Sequence, residues 1–322
     1  MDRHYLGYSN YKSLKEDKEF ENYFNKYVWW VILSKTYENY KKFEADYAKN
    51  IELLNVYHPK KSVKGKVDLR VKELTVKYQG QRNTCSVFAA TALIEYLIYS
   101  KYKKTVDLSE AYNYWAAKKL ALTSEYLRNM YSTIDGLAGY LAVEAYKYGS
   151  MYEKDWKYEN ENWLTKKDKR CKTVNNNHVT ECFTGTPPEN SKKAEYTANP
   201  IFIKKKDIGQ FILQEKKPVA INIFWYYSAV DKQGNIRLPN DKIDKKGGHV
   251  ILLVGYDFDT KTFIFKNGWG TKWGNKGYGT ITEDYILKYY EVIDYMPYNN
   301  DVIKEEKRMI IKSALGVSAI LK

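Results

Sequence analysis

The hydrophobic pattern of the chain changes from helical to strand-like near its middle, and this change constrains the fold more than any other feature. In the first half, CSVFAATALIEYLIYSKY (85–102) follows a Gly-containing turn, QGQRN, and keeps an apolar helical pattern throughout. In the second half, KKPVAINIF, HVILLVGYD and TFIFKN are short β-branched or aromatic runs bounded by turn residues, which is typical of strands. Helices followed by antiparallel strands predict an α+β fold of two unlike halves that pack face to face.

Further elements are predicted within the central part of the chain. One helix is expected after Ser109 and another over about 137–148, while VDLRVKELTVKY (67–78) is β-rich. Residues 159–200 are polar and rich in Asn, Lys and Thr. A stretch of this length is predicted to be a surface insertion, either a functional loop or a segment without regular structure.

The two ends of the chain differ from this central part. Residues 8–58 contain neither Gly nor Pro, and apolar residues recur at helical spacing, so two helices are predicted to end at Pro59. Near the other end, MIIKSALGVSAILK is amphipathic and is predicted to be a packed helix. The expected parts are a helical N-terminal region (1–60), a central domain (61–296) that contains the insertion, and a C-terminal tail (297–322).

Composition limits the classes of function. With 322 residues, 44% of them apolar, the chain can fill a sizeable core, and its three Cys exclude a small disulfide scaffold. There is no CxxC pair, so we expect no structural zinc knuckle, and no metal or cofactor is called for. The longest apolar runs, VWWVIL and VILLV, fall well short of the roughly 20 residues that span a bilayer, so no transmembrane segment is expected.

The charge balance is strongly basic. Lys and Arg number 53 against 39 Asp and Glu, a net charge of +14 that would suit a nucleic acid or an anionic surface. The positive charge is spread thinly along the chain, however, and no nucleic-acid partner is expected. The N-terminal MDRHYLGYSN contains no apolar segment, so no secretory signal is visible. This favours a cytoplasmic or non-classical location unless the N-terminus was trimmed, and the location itself is left open.

Nucleophilic chemistry would have to come from three Cys and four His. Cys85 begins a strong helix, whose N-terminus favours a thiolate over a thiol. His249 follows two glycines at the start of an apolar strand, and Asn267 lies 18 residues further on, across a predicted hairpin. An Asn there could accept the imidazole N–H and hold its tautomer. Taken singly, Cys85 and His249 also fit buried structural roles.

Taken together, these segments resemble the papain-like, cathepsin-like cysteine peptidases. QGQRNTCSVFAA (79–90) is similar to the family's nucleophile segment, GGHVILLVGYD (247–257) to its His segment, and KNGWGTKWGNKGYG (266–279) to its Asn segment. The order Gln, Cys, His, Asn is the family's order, and the resemblance covers about residues 62–296. It implies a helical left subdomain and an antiparallel β right subdomain, with the active-site cleft between them.

The resemblance also implies a role for each matching residue. Cys85 is the nucleophile, held as a thiolate–imidazolium pair with His249, which donates a proton to the leaving amine. Asn267 orients His249, and Trp269 covers the hydrogen bond between these two. The side-chain amide of Gln79 and the backbone N–H of Cys85 form the oxyanion hole.

Further residues are implied to bind the substrate, which is a peptide or protein. Gly136, in IDGLAGY, matches the glycine that pairs through its main chain with an extended substrate. Ala138, Asn222 and Val250 match the walls of the main specificity pocket, and Trp269 borders the substrate site. We expect a monomer.

The sequence departs from the family pattern at its cysteines. Arg82 stands three residues before Cys85, where the family has a disulfide Cys, and the partner position near Thr133 is not Cys either. A missing bridge fits a reducing compartment. Cys171 and Cys182 lie eleven apart in the insertion, which resembles the occluding loop of cathepsin B-like enzymes, although a simple staple or two idle thiols remain alternatives.

Residues 1–60 partly resemble the inhibitory prosegment of these enzymes. KTYENYKKFEADYAKNIELLN (35–55) has Tyr47, Asn50 and Leu54 at the aromatic, Asn and aliphatic positions of the prosegment pattern, but its Glu and Arg positions do not match. The alternative is a permanent helical subdomain that supports the catalytic domain.

The resulting prediction is a cysteine peptidase that hydrolyses peptide bonds through a Cys–His–Asn triad and a thioester. If residues 1–60 are a prosegment, it is made as a zymogen. Two alternatives belong to other classes: a catalytically silent papain-fold binding protein, and another Cys–His acyl transfer of the transglutaminase or deamidase kind. Gln79 and the Asn-Gly-Trp-Gly segment favour the peptidase.

Overall fold

The computed structural model describes residues 56–122, 128, 131–175, 177–189, 193–194, 196–198, 200–239, 246–289, 295–299 and 303–304. The two helices predicted before residue 56 and the amphipathic helix predicted near the C-terminus lie outside these residues. Within the described part of the chain, no helix is both long enough and apolar enough to span a membrane.

Six α-helices form in the described residues, and three of them lie in the first half, as predicted. The bounds are α1 Cys85–Tyr102, α2 Glu110–Ala116, α3 Gly139–Glu144, α4 Glu181–Thr184, α5 Ile208–Glu215 and α6 Glu283–Tyr289. The predicted limits of α1 are confirmed, because Lys103 ends it in the left-handed conformation (φ 52°). Ser109 caps α2, accepting the Tyr112 N–H at 3.0 Å.

Most of the strands lie in the second half of the chain, and most of the strand pairs are antiparallel. The bounds are β1 Val56–Tyr57, β2 Lys66–Asp68, β3 Ser150–Met151, β4 Thr173–Val174, β5 Asn177–His178, β6 Lys193–Ala194, β7 Tyr196–Thr197, β8 Pro200–Lys204, β9 Val219–Tyr226, β10 Asn235–Ile236, β11 Lys246–Asp257, β12 Thr262–Lys266, β13 Tyr278–Thr282, β14 Tyr295–Asn299 and β15 Ile303–Lys304. The three strands predicted from apolar runs are β9, β11 and β12, and they are confirmed.

The main sheet has six strands and centres on β11. Its order is β10-β13-β12-β11-β2, in which β2 pairs with residues 255–257 of β11. The sixth strand, β9, pairs with residues 246–253 of β11. In the β9–β11 ladder, His249 lies opposite Ile223, and Val250 lies opposite Asn222. A smaller sheet has the order β1-β8-β14, so β8 lies between a strand from each end of the described chain.

Helix α1 links the two halves of the fold. Most of its side chains from Ser86 to Ile98 are buried, including Val87, Leu93 and Ile98 with no exposed area. A helix that is apolar on all sides is a helix surrounded by protein. One side of α1 packs on α3 and another on β11. The fold is therefore α+β, with α1 at the boundary between the helices and the sheet.

Two expectations about local structure need correction. The segment predicted to be β-rich is a strand only over Lys66–Asp68, because the Asp68 carboxylate accepts the Arg70 N–H at 3.0 Å and turns the chain out of the sheet. The insertion has more regular structure than its composition predicted, since it contains β4, β5 and α4. It also buries apolar side chains, including Phe183 at 3% exposure.

Candidate active site

Cys85 is the first residue of α1 and is half-buried. It is not part of a disulfide. The first N–H groups of a helix have no acceptor within it, so the start of α1 offers main-chain donors close to the thiol. Thr84, which precedes it, does not cap the helix through its side chain, and its hydroxyl instead lies 2.6 Å from that of Tyr158.

His249 and Asn267 form a buried hydrogen-bonded pair. The imidazole Nε2 lies 2.9 Å from Asn267 Oδ1. Because an amide oxygen only accepts, Nε2 is the donor, and in the neutral ring Nδ1 is left as a proton acceptor. Asn267 Oδ1 also accepts the Gly268 N–H at 2.8 Å, which holds the amide in place. The pair therefore holds one tautomer of His249, the one with a basic Nδ1.

Two tryptophan rings enclose the imidazole. Trp269 lies 4.7 Å from His249 between ring centroids, with a 33° angle between the planes, and Trp225 approaches edge-on at 4.8 Å. The two indoles contact each other at 5.0 Å. Water is thereby kept from the His249–Asn267 hydrogen bond, and bonds in such surroundings are stronger than in water.

Burial sets the charge preference of His249. The side chain is only 5% exposed, and this desolvation lowers the pKa of His249 to about 4, against the opposing effect of its hydrogen bond to Asn267. The imidazole alone is therefore neutral at pH 7. Its charged form requires a negative partner.

Gln79 lies at the same junction. Its backbone N–H donates to the Gly268 carbonyl at 2.8 Å, and its side-chain Nε2 donates to the Arg82 carbonyl at 2.9 Å. The side chain is buried, at 6% exposure. A Cβ at Gly268 would lie 3.0 Å from Gln79 Oε1 and 3.2 Å from Phe88 Cβ, so only glycine lets these groups approach so closely. Since Phe88 is in the first turn of α1, the structure brings the Cys85, Gln79 and Asn267 segments together.

A cluster of buried ions lies beside these residues. Lys77, two positions before Gln79, binds the carboxylates of Glu95 and Glu110 at 2.9 Å each. Burial opposes the charge of Lys77, but the carboxylates outweigh it and raise its pKa. Lys266, next to Asn267, donates to the Thr75 carbonyl at 2.6 Å, and burial lowers its pKa to about 8. The cluster ties the segments that carry Gln79 and Asn267 to α1 and α2.

The three residues predicted to wall the specificity pocket lie close together. The Gly139 N–H, at the start of α3, donates to Asn222 Oδ1 at 2.9 Å. A Cβ at Gly139 would lie 3.0 Å from Val250 Cγ1, so Ala138, its neighbour, is held against β9 and β11. Ala138, Asn222 and Val250 are all buried, at 6%, 6% and 3% exposure. In this structure these residues contact protein rather than solvent.

Gly136 lies on the same segment but has an additional bond. Its φ is +96°, which favours glycine, and its N–H donates to the Tyr114 hydroxyl at 2.6 Å. That hydroxyl donates in turn to Asp135 at 2.7 Å. Main-chain pairing of the Gly136 N–H with a substrate would require exchange of this internal bond.

The insertion carries a disulfide. Cys171 and Cys182 are joined, and His178 Nδ1 lies 3.6 Å from Cys171 Sγ. The ligand atoms of these three residues lie within 4.8 Å of one another, which is close enough to hold a metal ion. Both sulfurs are engaged in the bridge, however, and cysteine binds a metal ion as a thiolate.

Sequence reasoning missed several residues of this region. It noted Arg82 only as the absence of a cysteine, and it did not single out Tyr158, Trp225 or Lys77. A Trp in an apolar strand is predicted to be a core residue, and an isolated Lys is predicted to lie on the surface. Neither residue type therefore indicates a functional role by itself. The contacts of Arg82 and Lys77 depend on residues far away along the chain, which no local pattern contains.

Comparison with known proteins identifies the family. The profile of the papain family cysteine proteases matches residues 63–295. The chain therefore belongs to the papain family of cysteine proteases. The predicted family and the predicted fold class are both confirmed.

Individual relatives agree with this assignment. Cathepsin L2 of Homo sapiens is 28% identical over 223 residues, covering 65% of this chain and 57% of its own. Gamete and mating-type specific protein A of Dictyostelium discoideum is 28% identical over 223 residues, covering 67% of this chain and 42% of its own. The chain thus spans less than two thirds of the length of these curated relatives. Xylellain, a cysteine protease from Xylella fastidiosa, shares the fold with a TM-score of 0.57 and 21% identity, covering 77% of this chain and 92% of its own.

Proposed function

We propose that this protein is a cysteine peptidase in which Cys85, His249 and Asn267 act as a catalytic triad. The observation that carries the proposal is the buried hydrogen bond between His249 Nε2 and Asn267 Oδ1 at 2.9 Å, which leaves Nδ1 as the basic nitrogen. The proposed nucleophile that this nitrogen serves is the half-buried thiol of Cys85, at the start of a long helix. A base held in one tautomer beside a cysteine is the arrangement that nucleophilic acyl transfer needs.

The reaction follows from these groups. His249 Nδ1 takes the proton of the Cys85 thiol, and the thiolate attacks the carbonyl carbon of the scissile peptide bond, forming a C–S bond. The imidazolium then gives its proton to the amine nitrogen as the C–N bond breaks, which leaves a thioester. Water, deprotonated by His249, attacks the thioester carbonyl and releases the acid, while the sulfur leaves and recovers its proton.

Negative charge develops on the carbonyl oxygen in both steps. The Cys85 backbone N–H and the Gln79 side-chain amide are the proposed donors to this oxygen. One hydrogen of Gln79 Nε2 is used by the Arg82 carbonyl, and the amide has a second one to offer. A donor of this kind is worth roughly 3–4 kcal/mol in the transition state.

The proposed substrate is an extended peptide. Gly136 would pair with its main chain, and Ala138, Asn222 and Val250 would form the floor of the pocket for one side chain. Trp269 would border the site as well as cover the His249–Asn267 bond. The burial of the pocket residues against one another favours a small or flat side chain at this position.

We further propose that residues 1–60 act as a prosegment. Support comes from the described end of this region, where β1 adds to β8 as a parallel strand. Tyr57 also stacks edge-on against Phe211 at 4.8 Å and donates a hydrogen bond to Gln214 at 2.9 Å. The end of the N-terminal region is therefore bound to the domain, and this contact would anchor the preceding residues of a prosegment.

The main proposal is tested by labelling and turnover. Titration with an epoxide inhibitor of cysteine peptidases should modify one cysteine, Cys85, and peptide hydrolysis should fall in proportion. Cys85→Ala should abolish both, while Cys171→Ala leaves labelling intact. Asn267→Ala should reduce kcat by about 10- to 100-fold, because one hydrogen bond to a charged group is lost.

The alternatives give different outcomes in the same assay. A silent binding protein would neither label nor hydrolyse. An acyl transferase would label but would incorporate an amine into a glutamine-containing peptide without cleaving it. Labelling that survives Cys85→Ala would show that the nucleophile has been assigned wrongly.

A further inference from the structure

Arg82 is a buried arginine at the centre of the loop before the proposed nucleophile. Its side chain is 7% exposed. Nη1 donates to the Glu159 carbonyl at 2.9 Å, and Nη2 donates to the Phe183 carbonyl at 2.6 Å. Both acceptors belong to the insertion, 77 and 101 residues further along the chain. The guanidinium therefore connects two segments that are distant in sequence.

Aromatic rings hold the same guanidinium. Its central carbon lies 4.8 Å from the ring centroid of Tyr158 and 5.4 Å from that of Tyr114. Cation–π contacts of this kind gain strength when water is excluded. A planar fork with two carbonyl acceptors and two neighbouring rings has little freedom to move, and the main chain of Arg82 is held with it.

The main chain of Arg82 contacts the side chain of Gln79. The Arg82 carbonyl accepts the hydrogen bond from Gln79 Nε2 at 2.9 Å, as described above. Tyr158, one of the two rings beside the guanidinium, donates its hydroxyl to the Gln79 carbonyl at 2.8 Å. Arg82 is thus linked to Gln79 directly at the side-chain amide, and through Tyr158 at the main-chain carbonyl.

We propose that Arg82 is a positioning residue for the oxyanion hole. It acts as a noncovalent staple that binds the loop 79–85 to the insertion and so sets where the Gln79 amide points. This inference rests on the proposed peptidase function. It assigns to the insertion a part in catalysis, which is to supply the two carbonyls that hold Arg82.

The geometry explains why a small change at Arg82 should matter. An oxyanion-hole donor works only when it lies about 2.7–3.1 Å from the developing oxyanion. A displacement of about 1 Å can cost on the order of 100-fold in rate. Lysine keeps the charge of arginine but lacks the planar fork, so it cannot reach two carbonyls in the same way.

The test compares Arg82→Lys and Arg82→Met with wild type. Arg170→Met is the matched control, because Arg170 also lies over an aromatic ring, that of Trp163 at 4.2 Å, but pairs with Asp168 near the surface. We expect kcat for a peptide substrate to fall at least about tenfold in both Arg82 variants, with KM within threefold. The control should keep wild-type kcat.

Two further measurements separate positioning from general damage. Alkylation of Cys85 by iodoacetamide needs the thiolate but forms no oxyanion, so its rate should stay within about twofold of wild type in Arg82→Lys. In a double-mutant cycle with Gln79→Ala, the Arg82→Lys change should cost little more than Gln79→Ala alone, because both act through the same amide.

The outcomes decide the proposal. Unchanged kcat in folded Arg82 variants overturns it, and so does a fall in alkylation that parallels the fall in kcat. Full additivity in the double-mutant cycle also overturns it. If both variants unfold at 25 °C, Arg82 is a structural residue and the proposal fails. A wild-type protein that neither labels nor hydrolyses would instead contradict the proposed function, which is a separate result.

Discussion

The surroundings of the His249 imidazole favour its neutral form, whereas the proposed reaction also needs its charged form. It is almost completely buried, between Trp225 and Trp269, and its hydrogen bond to Asn267 is with a neutral amide. In the proposed reaction, a thiolate on Cys85 is the group that would stabilise the charged imidazole. In the proposed reaction this makes the ionic state a property of the Cys85–His249 pair rather than of the histidine alone.

Acid should destabilise the fold through His249. Burial lowers the pKa of His249 to about 4, whereas an unfolded chain holds it near 6.5. Between these values the unfolded state binds the extra proton, so stability is complete above pH 6.5 and is lost as the pH falls towards 4. We expect a contribution of about 3 kcal/mol to the free energy of unfolding. Urea denaturation of Cys85→Ala from pH 7 to pH 4 measures it without a thiolate present.

The control for this effect removes the imidazole. In the Cys85→Ala background, His249→Gln should flatten the acid dependence of the unfolding free energy. An identical pH dependence for His249→Gln and its parent would contradict a neutral, buried His249.

Residues with a local signature were predictable, and those defined by distant partners were not. Cys85 begins a helix that its own sequence predicts, and His249 and Asn267 lie on a hairpin that its turn predicts. Arg82 became informative only once the fold brought the Phe183 carbonyl to it from 101 residues away. The internal hydrogen bond of the Gly136 N–H to Tyr114 was missed for the same reason.

Among the structural elements, the insertion differs most from its expected form. Its disulfide closes a short loop that contains the β4–β5 hairpin and leads into α4. Cys182 is fully buried, and the next residue, Phe183, supplies a carbonyl to Arg82. Polar composition predicted a surface position, but a few buried side chains and one bridge are sufficient to order a polar segment.

Removal of the bridge should weaken this segment. On the chain-entropy account, a loop whose ends are 11 residues apart stabilises the fold by about 2–3 kcal/mol. We expect Cys171→Ser to lower the free energy of unfolding by this amount and to make the segment more sensitive to limited proteolysis. Urea denaturation with peptide mapping of the first cleavage sites measures both effects. Equal stability and the same first cleavage site as in wild type would show that the bridge does not order the loop.

The elements of the two halves were predicted unequally well. Helix α1 was predictable because its apolar run is long and keeps a helical pattern from Cys85 to Tyr102. The segment 67–78 was not, because the Asp68 carboxylate turns the chain after three strand residues, and strand propensity does not register such a turn.

At the scale of the whole molecule, the halves are joined by charge as well as by apolar contact. Lys77, in the loop before α1, forms ion pairs with Glu95 on α1 and Glu110 on α2. Lys266, at the end of β12 in the sheet, donates a hydrogen bond to the Thr75 carbonyl. The α+β architecture could be predicted from hydrophobic periodicity and from the family motifs. The ionic contacts at the boundary could not, because periodicity carries no information about which polar groups become buried.

Processing should control the reactivity of the site. If residues 1–60 are a prosegment, the intact chain should label slowly at Cys85, and a chain cleaved within the Lys60–Lys66 link should label quickly. The rate of epoxide labelling in the 1–322 and 62–322 forms, both shown to be folded, measures this. Equal rates would indicate that the N-terminal region is a structural subdomain rather than an inhibitor.

The position of β8 has a consequence for any such cleavage. β8 is paired on one side with β1 and on the other with β14, so its backbone donors and acceptors are satisfied from both sides. After a cut in the Lys60–Lys66 link, the described contacts that would still attach β1 are its hydrogen bonds to β8 and the Tyr57 side chain. Its departure would uncover an open strand edge, which is a template for pairing with other chains. Maturation of this protein would thus also create a self-association surface, unless the cleaved strand stays in place as a bound peptide.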